Sequence, residues 1–320
     1  MKIVVLDGYT LNPGDLNWTE LKTFGDVTVF DRTTYNNEDI LNNISDAEII
    51  FTNKTPINKK TIINSPSLKY IGVLATGFNV VDIETAKARN ITVTNVPDYS
   101  SQSVAQFTMA LILELCHHIG AHNNAVQRGD WVKSKDFSFW NYPLIELASK
   151  TLGIVGFGKI GKATAKLAEA FGMDILVYSR TIYPELETSN LKFVSLDDLL
   201  QNSDFVSLHC PLTPETEEII NSTSIEKMKN SAFLINTSRG PLVNEKHLTN
   251  ALNKNKITGA AIDVISEEPM KETNPLLDAK NCIITPHIAW APKEARQRLM
   301  DTSIENLKAF LNGKPLNVVN

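Results

Sequence analysis

In the middle of this chain, a segment with regularly spaced glycines directly follows an apolar run. The run Thr151 to Val155 leads into Gly156-Phe157-Gly158-Lys159-Ile160-Gly161, and an alanine-rich stretch follows. This spacing between a strand and a helix is typical of a dinucleotide-binding βαβ unit, whereas an isolated glycine cluster often marks only a turn. In such a unit Gly156 permits the tight turn, Gly158 lets the backbone approach a pyrophosphate, and Gly161 allows close helix-to-strand packing. The sequence therefore predicts a dinucleotide site after residue 155.

The end of the next predicted strand indicates which dinucleotide is bound. In NAD-binding units an acidic residue about 20 residues further on accepts hydrogen bonds from the ribose 2′-hydroxyl. Here Tyr178 is followed by Ser179, Arg180 and Thr181. Without a carboxylate there is no repulsion against a 2′-phosphate, and a guanidinium with two hydroxyl groups supplies donors for it. The sequence favours NADP(H), and NAD(H) stays possible if Arg180 merely points to solvent.

Three polar residues, Arg239, Glu268 and His287, each come shortly after a later apolar run. Because ligands bind at the carboxyl edge of open α/β sheets, we expect all three near the dinucleotide. A guanidinium can hold the carboxylate or keto oxygen of a 2-oxo acid. A carboxylate beside an imidazole favours the imidazolium, which is a proton donor near neutral pH. Each residue alone is more often a surface or core group; the three together indicate an acid/base site.

The apolar runs predict two series of βα units, each forming a parallel sheet. The runs are Ile3 to Leu6, Val27 to Phe30, Glu48 to Thr52, Tyr70 to Leu74 and Ile91 to Asn95, then 152–155, 175–178, 205–209, 232–236, 259–264 and 282–285. Ser100 or Ser101 caps a long helix through Ile119, and a last helix from Pro292 to Leu311 folds back onto the first series.

The predicted fold class is therefore α/β with two domains. A Rossmann-type doubly wound parallel sheet, residues 99–290, is inserted into a discontinuous flavodoxin-like substrate domain, residues 1–98 and 291–320.

Composition excludes several classes of partner. A net charge of -5 with scattered Lys and Arg gives no basic surface for nucleic acid or an anionic membrane. The longest apolar stretch, Val104 to Leu115, is well short of the roughly 20 residues that a membrane span needs. The three cysteines have no CxxC spacing, which argues against disulfides and zinc and favours the cytoplasm. His118 and His122 are spaced i, i+4 but lack an evident third ligand, so no metal site is predicted.

On these motifs the chain resembles the D-isomer-specific 2-hydroxyacid dehydrogenase family over essentially its whole length. Three segments are similar to the glycerate dehydrogenase or hydroxypyruvate reductase branch: 74–79 (LATGFN), 139–143 (FWNYP) and 286–290 (PHIAW). The resemblance implies that Arg239 orients the substrate, Glu268 supports the histidine and His287 is the acid/base. Ser179 departs from the NAD-type pattern of the family, which bears on the cofactor and not on the reaction.

The resemblance also implies the remaining contacts. Cofactor contacts are expected at Thr76, Gly156, Gly158, Lys159, Ile160, Gly161, Ser179, Arg180, Thr181, Cys210, Pro211, Thr237, Ser238, Asp263, His287 and Ala289. Substrate contacts are expected at Leu74, Ala75, Thr76, Gly77, Trp140, Arg239, His287 and Trp290. A homodimer is expected, in which the aromatic region 129–143 crosses over and Trp140 approaches the other subunit's pocket; the alternative is that this region only packs.

The expected reaction is the NAD(P)H-dependent interconversion of a small 2-oxo acid and a D-2-hydroxy acid, with hydroxypyruvate or glyoxylate as substrate. Phosphoglycerate, D-lactate or formate oxidation would use similar cofactor machinery with a different pocket. A dinucleotide-sensing binding protein of the same fold is a further alternative, and the complete set of Arg239, Glu268 and His287 favours an enzyme over it.

Overall fold

The structure, a computed structural model, describes residues 1–320 and divides into two units. The first unit consists of Met1–Ser100 and Trp290–Asn320, and the second of Ser101–Ala289. Tyr99 and Trp290 both belong to the first unit, where their rings meet edge to face with centroids 6.3 Å apart. The first unit is thus discontinuous in sequence, and the second is a single insertion.

In chain order the strands are β1 (Lys2–Val5), β2 (Asp26–Val29), β3 (Ile49–Thr52), β4 (Tyr70–Val73), β5 (Thr92–Thr94), β6 (Thr151–Val155), β7 (Asp174–Tyr178), β8 (Leu191–Phe193), β9 (Phe205–Leu208), β10 (Phe233–Asn236), β11 (Gly259–Ile262) and β12 (Cys282–Ile284). The α-helices are α1 (Thr19–Lys22), α2 (Asn37–Ile44), α3 (Lys59–Ile63), α4 (Ile83–Ala88), α5 (Ser101–His117), α6 (Ile119–Gln127), α7 (Lys159–Ala170), α8 (Leu196–Asn202), α9 (Ser222–Lys227), α10 (Glu245–Asn253) and α11 (Lys293–Leu311).

The first unit is built on a five-stranded parallel sheet in the order β2-β1-β3-β4-β5. Every residue of β3 and β4 is buried, as expected for central strands covered on both faces. Helix α11 packs on this sheet, with the Phe310 and Tyr70 rings 4.9 Å apart. The left-handed Gly313 follows the end of α11, where a glycine commonly terminates a helix.

The second unit holds a seven-stranded parallel sheet in the order β12-β11-β10-β9-β6-β7-β8. From β6 to β11 this is the doubly wound order, with the change of direction between β6 and β9. The predicted fold class is confirmed, but the expected number of six strands is wrong. The missed strand, β8, has only three residues with the exposed Lys192 at its centre, too short for a periodic signal.

Helix α5 is buried on several sides, but it ends earlier than predicted. His118 adopts a left-handed conformation with φ of 48°, which ends α5 at His117 and starts α6 at Ile119. No single helix is long and apolar enough to cross a membrane; α5 and α6 pass such a test only as a pair, with a 54° bend between them.

Candidate active site

The glycine loop lies at the change of direction in the second sheet, between the carboxyl ends of β6 and β9. Gly156 has φ of +98°, and a Cβ atom there would lie 2.5 Å from the Cys210 nitrogen. A Cβ atom on Gly161 would lie 2.2 Å from the Gly156 carbonyl oxygen. Gly158 has open space beside it and begins the twelve-residue helix α7 without a side-chain cap. The positive end of α7 therefore has room for an anion, and these residues fit a dinucleotide pyrophosphate.

The segment expected to contact the adenosine ribose follows β7, the strand next to β6. Ser179 is half-buried there, and Arg180 and Thr181 are exposed. A hydrogen bond from the Thr213 side chain lowers the pKa of Glu215, and the Arg180 guanidinium makes a smaller contribution in the same direction. The Arg180 cation thus acts on the loop that follows β9, where Pro211 is exposed.

The turn that carries Arg239 is fixed by hydrogen bonds at the end of β10. Asn236 accepts from the Ser238 N–H at 3.0 Å and donates its amide to the Arg239 carbonyl at 2.8 Å. The Ser238 hydroxyl donates to the Cys210 carbonyl at 2.7 Å, which ties this turn to the loop after β9. The Arg239 side chain is exposed, and its Nη1 donates to the Ser238 carbonyl at 2.7 Å.

The hydroxyl group of Thr237 has its direction set by a buried threonine on α5. Thr108 donates its only hydroxyl proton to the Val104 carbonyl at 2.9 Å. The 3.0 Å contact between the Thr108 and Thr237 oxygens must then use the proton of Thr237. Thr237 consequently offers only acceptor lone pairs to any further partner.

Glu268 and His287 are paired, as their chemistry requires for an acid/base site. The distance between His287 Nδ1 and Glu268 Oε2 is 2.7 Å, and the two side chains are 28% and 34% exposed. Glu268 Oε1 also accepts from the Ile265 N–H at 3.3 Å. Because an ionised carboxylate can only accept, Nδ1 carries the proton of this bond and Nε2 is left for another partner.

The turn that presents His287 is organised by Asp263, whose carboxylate is almost completely buried. It accepts from the Thr285 hydroxyl at 2.6 Å and from the N–H groups of Ile288 and Ala289, each at 2.9 Å. His287 itself has φ of 53° and donates its N–H to the Asp263 carbonyl at 2.8 Å. The sequence prediction placed Asp263 among the cofactor contacts and missed this role, because strand position alone does not show where a carboxylate points.

Strand order brings the three candidate catalytic residues to consecutive positions along one edge. Arg239 follows β10, Glu268 follows β11 and His287 follows β12, and these three strands are hydrogen-bonded neighbours. Adjacent strands are about 4.8 Å apart, so the three turns lie side by side. The glycine loop follows β6, which is separated from β10 only by β9.

In the first unit, the turn 74–77 has its carbonyl groups tied back into the fold. Asn53 donates its amide to the Leu74 carbonyl at 2.7 Å, and the Val96 N–H donates to Ala75 at 3.0 Å. Asn95 donates its amide to the Thr76 carbonyl at 2.7 Å. The Leu74 N–H donates to the Thr52 carbonyl at 2.8 Å, so the N–H groups of this turn that are available to an anion are those of residues 75–77.

The other predicted substrate contacts have different surroundings. Trp140 lies in the second unit and is 65% exposed. Trp290 lies in the first unit against Tyr99.

His118 and His122, the pair with zinc-like spacing, both pack on the Tyr142 ring. His122 Nε2 accepts from the Asn141 N–H at 3.1 Å.

A glycine loop for a dinucleotide and a carboxylate-supported histidine on one sheet edge define an oxidoreductase that uses a nicotinamide dinucleotide. The sequence profile of the NAD binding domain of the D-isomer specific 2-hydroxyacid dehydrogenases matches residues 109–289. The chain belongs to this family, as the sequence predicts.

Relatives extend the similarity to the whole chain. It is 54% identical to a hydroxypyruvate reductase of Blautia hydrogenotrophica over 321 aligned residues, covering 100% of both chains. It is 44% identical to a glycerate dehydrogenase of Methylorubrum extorquens, covering 90% of each. Among solved structures, the acyclic imino acid reductase Bsp5 in complex with NADPH and D-Arg superimposes with a TM-score of 0.85 at 31% identity, covering 100% of both chains.

Proposed function

We propose that this protein reduces hydroxypyruvate, and glyoxylate as a second substrate, to the corresponding hydroxy acid, in a reversible reaction of the D-glycerate dehydrogenase type. The observation that carries the proposal is the 2.7 Å contact between His287 Nδ1 and Glu268 Oε2 beside the turn of Arg239. The names of the two relatives described above support this choice of substrate.

In the proposed mechanism, the Arg239 guanidinium holds the 2-oxo acid and polarises its C2 carbonyl. The N–H groups of residues 75–77 bind the substrate carboxylate. His287 gives its Nε2 proton to the keto oxygen, and Glu268 stabilises the imidazolium before that transfer. The nicotinamide, when bound, supplies the hydride for C2.

The test of the reaction is a matrix of kcat/KM values for hydroxypyruvate, glyoxylate and pyruvate with NADH and with NADPH. We expect kcat/KM for hydroxypyruvate to exceed kcat/KM for pyruvate by about tenfold or more, because a pocket that pairs the extra hydroxyl discriminates against its absence.

The variant His287→Ala tests the proton donor. Its kcat should fall by about 10² to 10⁴, with cofactor binding retained. The exposed His117→Ala is the matched control. Equal rates on pyruvate would remove the substrate assignment, and an active His287→Ala would remove the mechanism.

We propose a preference for NADP(H), resting on the residues after β7. No carboxylate stands at Ser179, and Arg180 offers a cation to a 2′-phosphate. The imino acid reductase described above, whose structure is similar, binds NADPH, and this supports the proposed cofactor. The variant Arg180→Gln should raise KM for NADPH by about tenfold and leave KM for NADH nearly unchanged, since one charged contact contributes about 1.5 to 3 kcal/mol. Preference of the wild type for NADH would contradict the proposal.

We propose a homodimer formed through the segment 119–144. This segment exposes several large apolar side chains: Ile119, Val126, Trp131, Val132, Phe137, Trp140, Tyr142 and Leu144. Val132 and Phe137 are 90% and 92% exposed, which is unfavourable in a monomer. Light scattering after size exclusion should give twice the chain mass, and Phe137→Glu should lower it to the chain mass.

We further propose that residues 1–98 and 291–320 bind the substrate, that residues 99–290 bind the dinucleotide, and that the protein works in the reducing cytoplasm. The profile match within residues 109–289 supports the dinucleotide assignment. All three cysteines are free thiols, which suits a reducing compartment. A fluorescent fusion in the source cells reports the location.

A further inference from the structure

The loop that carries Glu268 is clamped at both ends by a carboxylate of helix α10. We define residues 265–274 as the glutamate loop. Glu245 Oε1 accepts from the Ser266 N–H at 2.6 Å, and Oε2 accepts from the Asn274 side-chain amide at 2.9 Å. One carboxylate thus joins the beginning of the loop to its end.

The same region of the chain is packed against the turn of Arg239. A Cβ atom on Gly240 would lie 1.9 Å from the carbonyl carbon of Ile265, so the two backbones touch with no space for a side chain. Helix α10 begins five residues after Gly240, and Glu245 is its first residue. The backbone contact and the Glu245 bonds therefore hold the Arg239 turn and the glutamate loop in one arrangement.

The ordinary role of a glutamate in the first turn of a helix is to favour the helix dipole. At α10 the capping bond is supplied by Asn244, whose side chain accepts from the His247 N–H at 3.0 Å. Both oxygen atoms of Glu245 are instead directed to the glutamate loop.

We propose that Glu245 is a positioning residue for the proton-donating pair. It holds the glutamate loop so that Glu268 Oε1 meets the Ile265 N–H at 3.3 Å and Oε2 meets His287 Nδ1 at 2.7 Å. The inference rests on the proposed function, because it assigns Glu245 to the step in which His287 gives up its proton.

Two variants separate the clamp from general stability. Glu245→Ala removes both acceptors. Glu245→Gln keeps one oxygen as an acceptor, but its N–H₂ group then faces one of the two donors, the Ser266 N–H or the Asn274 amide. Asn274 cannot reverse its amide freely to relieve this, because its oxygen already accepts from the Leu276 N–H at 2.9 Å. The matched control is Glu267→Gln, which neutralises an exposed carboxylate of the same loop whose partner is Lys271 Nζ at 2.7 Å.

We expect Glu245→Ala to lower kcat for hydroxypyruvate reduction by about 10- to 100-fold, because misplacing a catalytic group has effects of this size. KM for the reduced cofactor should change by less than about twofold, since the glycine loop is untouched. Glu245→Gln should retain an intermediate kcat, and Glu267→Gln should match the wild type. Wild-type kcat in a folded Glu245→Ala protein, or an equal loss in Glu267→Gln, would overturn the proposal.

A double-mutant cycle tests the route of the effect. When Glu268→Gln is already present, Glu245→Ala should lower kcat by less than about twofold further, because the effects of residues that act as a unit are not additive. Full additivity would show that Glu245 acts elsewhere and would overturn the proposal. If Glu245→Ala does not fold, the same cycle is run with Glu245→Gln.

Amide hydrogen exchange tests whether Glu245 restrains the glutamate loop, and it does not require catalysis. The peptide covering the glutamate loop should exchange faster in Glu245→Ala and at the wild-type rate in Glu267→Gln. Unchanged exchange in Glu245→Ala would overturn the clamp. A wild type that reduces no 2-oxo acid would defeat the proposed function instead, and the exchange measurement would still report on the loop.

Discussion

Replacing Glu268 by glutamine is the sharpest test of the candidate active site, because the amide keeps the shape of the side chain and loses its charge. The bond between Nδ1 and Oε2 is 2.7 Å long. Hydrogen bonds to charged groups contribute about 1.5 to 3 kcal/mol. Since the two side chains are 28% and 34% exposed, solvent screens the pair and about 2 kcal/mol is the reasonable value. This corresponds to about a 30-fold loss of rate.

The loss should appear in kcat and not in cofactor binding. In the proposed mechanism Glu268 stabilises the imidazolium of His287, which is the form that donates a proton during reduction. In Glu268→Gln the amide carries no charge that could stabilise this form, so kcat should fall while KM for the reduced cofactor changes little, because the glycine loop is untouched.

The assay is the initial rate of hydroxypyruvate reduction over a range of cofactor concentrations, followed by the absorbance of NAD(P)H. Glu267→Gln is the control for the change of charge, since Glu267 pairs with Lys271 and not with the histidine. A raised KM for the reduced cofactor with an unchanged kcat would refute the argument that Glu268 acts on the proton-transfer step. An unchanged rate would remove Glu268 from the mechanism.

Three further predictions concern stability and cofactor binding. Gly161→Ala should destabilise the protein and abolish cofactor binding, because its Cβ atom would lie 2.2 Å from the Gly156 carbonyl, whereas Gly158→Ala, with open space, should spare the melting temperature and weaken only NAD(P)H binding measured by fluorescence. Burial lowers the pKa of His209 from its ordinary value of 6.5 to about 4, so the unfolded chain takes up the proton first and stability is lost as pH falls from 6.5 toward 4. At pH 5 this should lower the free energy of unfolding of the wild type by at most about 2 kcal/mol, because His209 is partly exposed. The free energy of unfolding of His209→Asn, measured with denaturant, should depend less on pH. The Asp7 carboxylate accepts hydrogen bonds from three backbone N–H groups of the loop after β3, at 2.6 to 2.7 Å. Asp7→Ala should therefore lower the free energy of unfolding, measured by urea titration, by about 2 to 4 kcal/mol.

The parts of the fold that sequence patterns predicted are those with a local physical cause. Buried strands are recognisable because their residues are apolar or β-branched, and the glycines of 156–161 are recognisable because a tight turn and close packing exclude a Cβ atom. The predicted helix extends past His117, where the helix in the structure ends. The break comes from the left-handed conformation of His118, and this residue type does not mark such a conformation in the sequence as a glycine would.

Sequence patterns predict the element types, the fold class, the family and the polar residues at the ends of strands, since each depends on short-range burial periodicity or on spaced motifs. They do not predict that β10, β11 and β12 are neighbours, that Asp263 faces the histidine turn, or that Glu245 reaches the glutamate loop; the folded structure shows all three. These arrangements rest on hydrogen bonds between groups about 20 or more residues apart, and their partners are set by how the sheet is assembled, which no local pattern encodes.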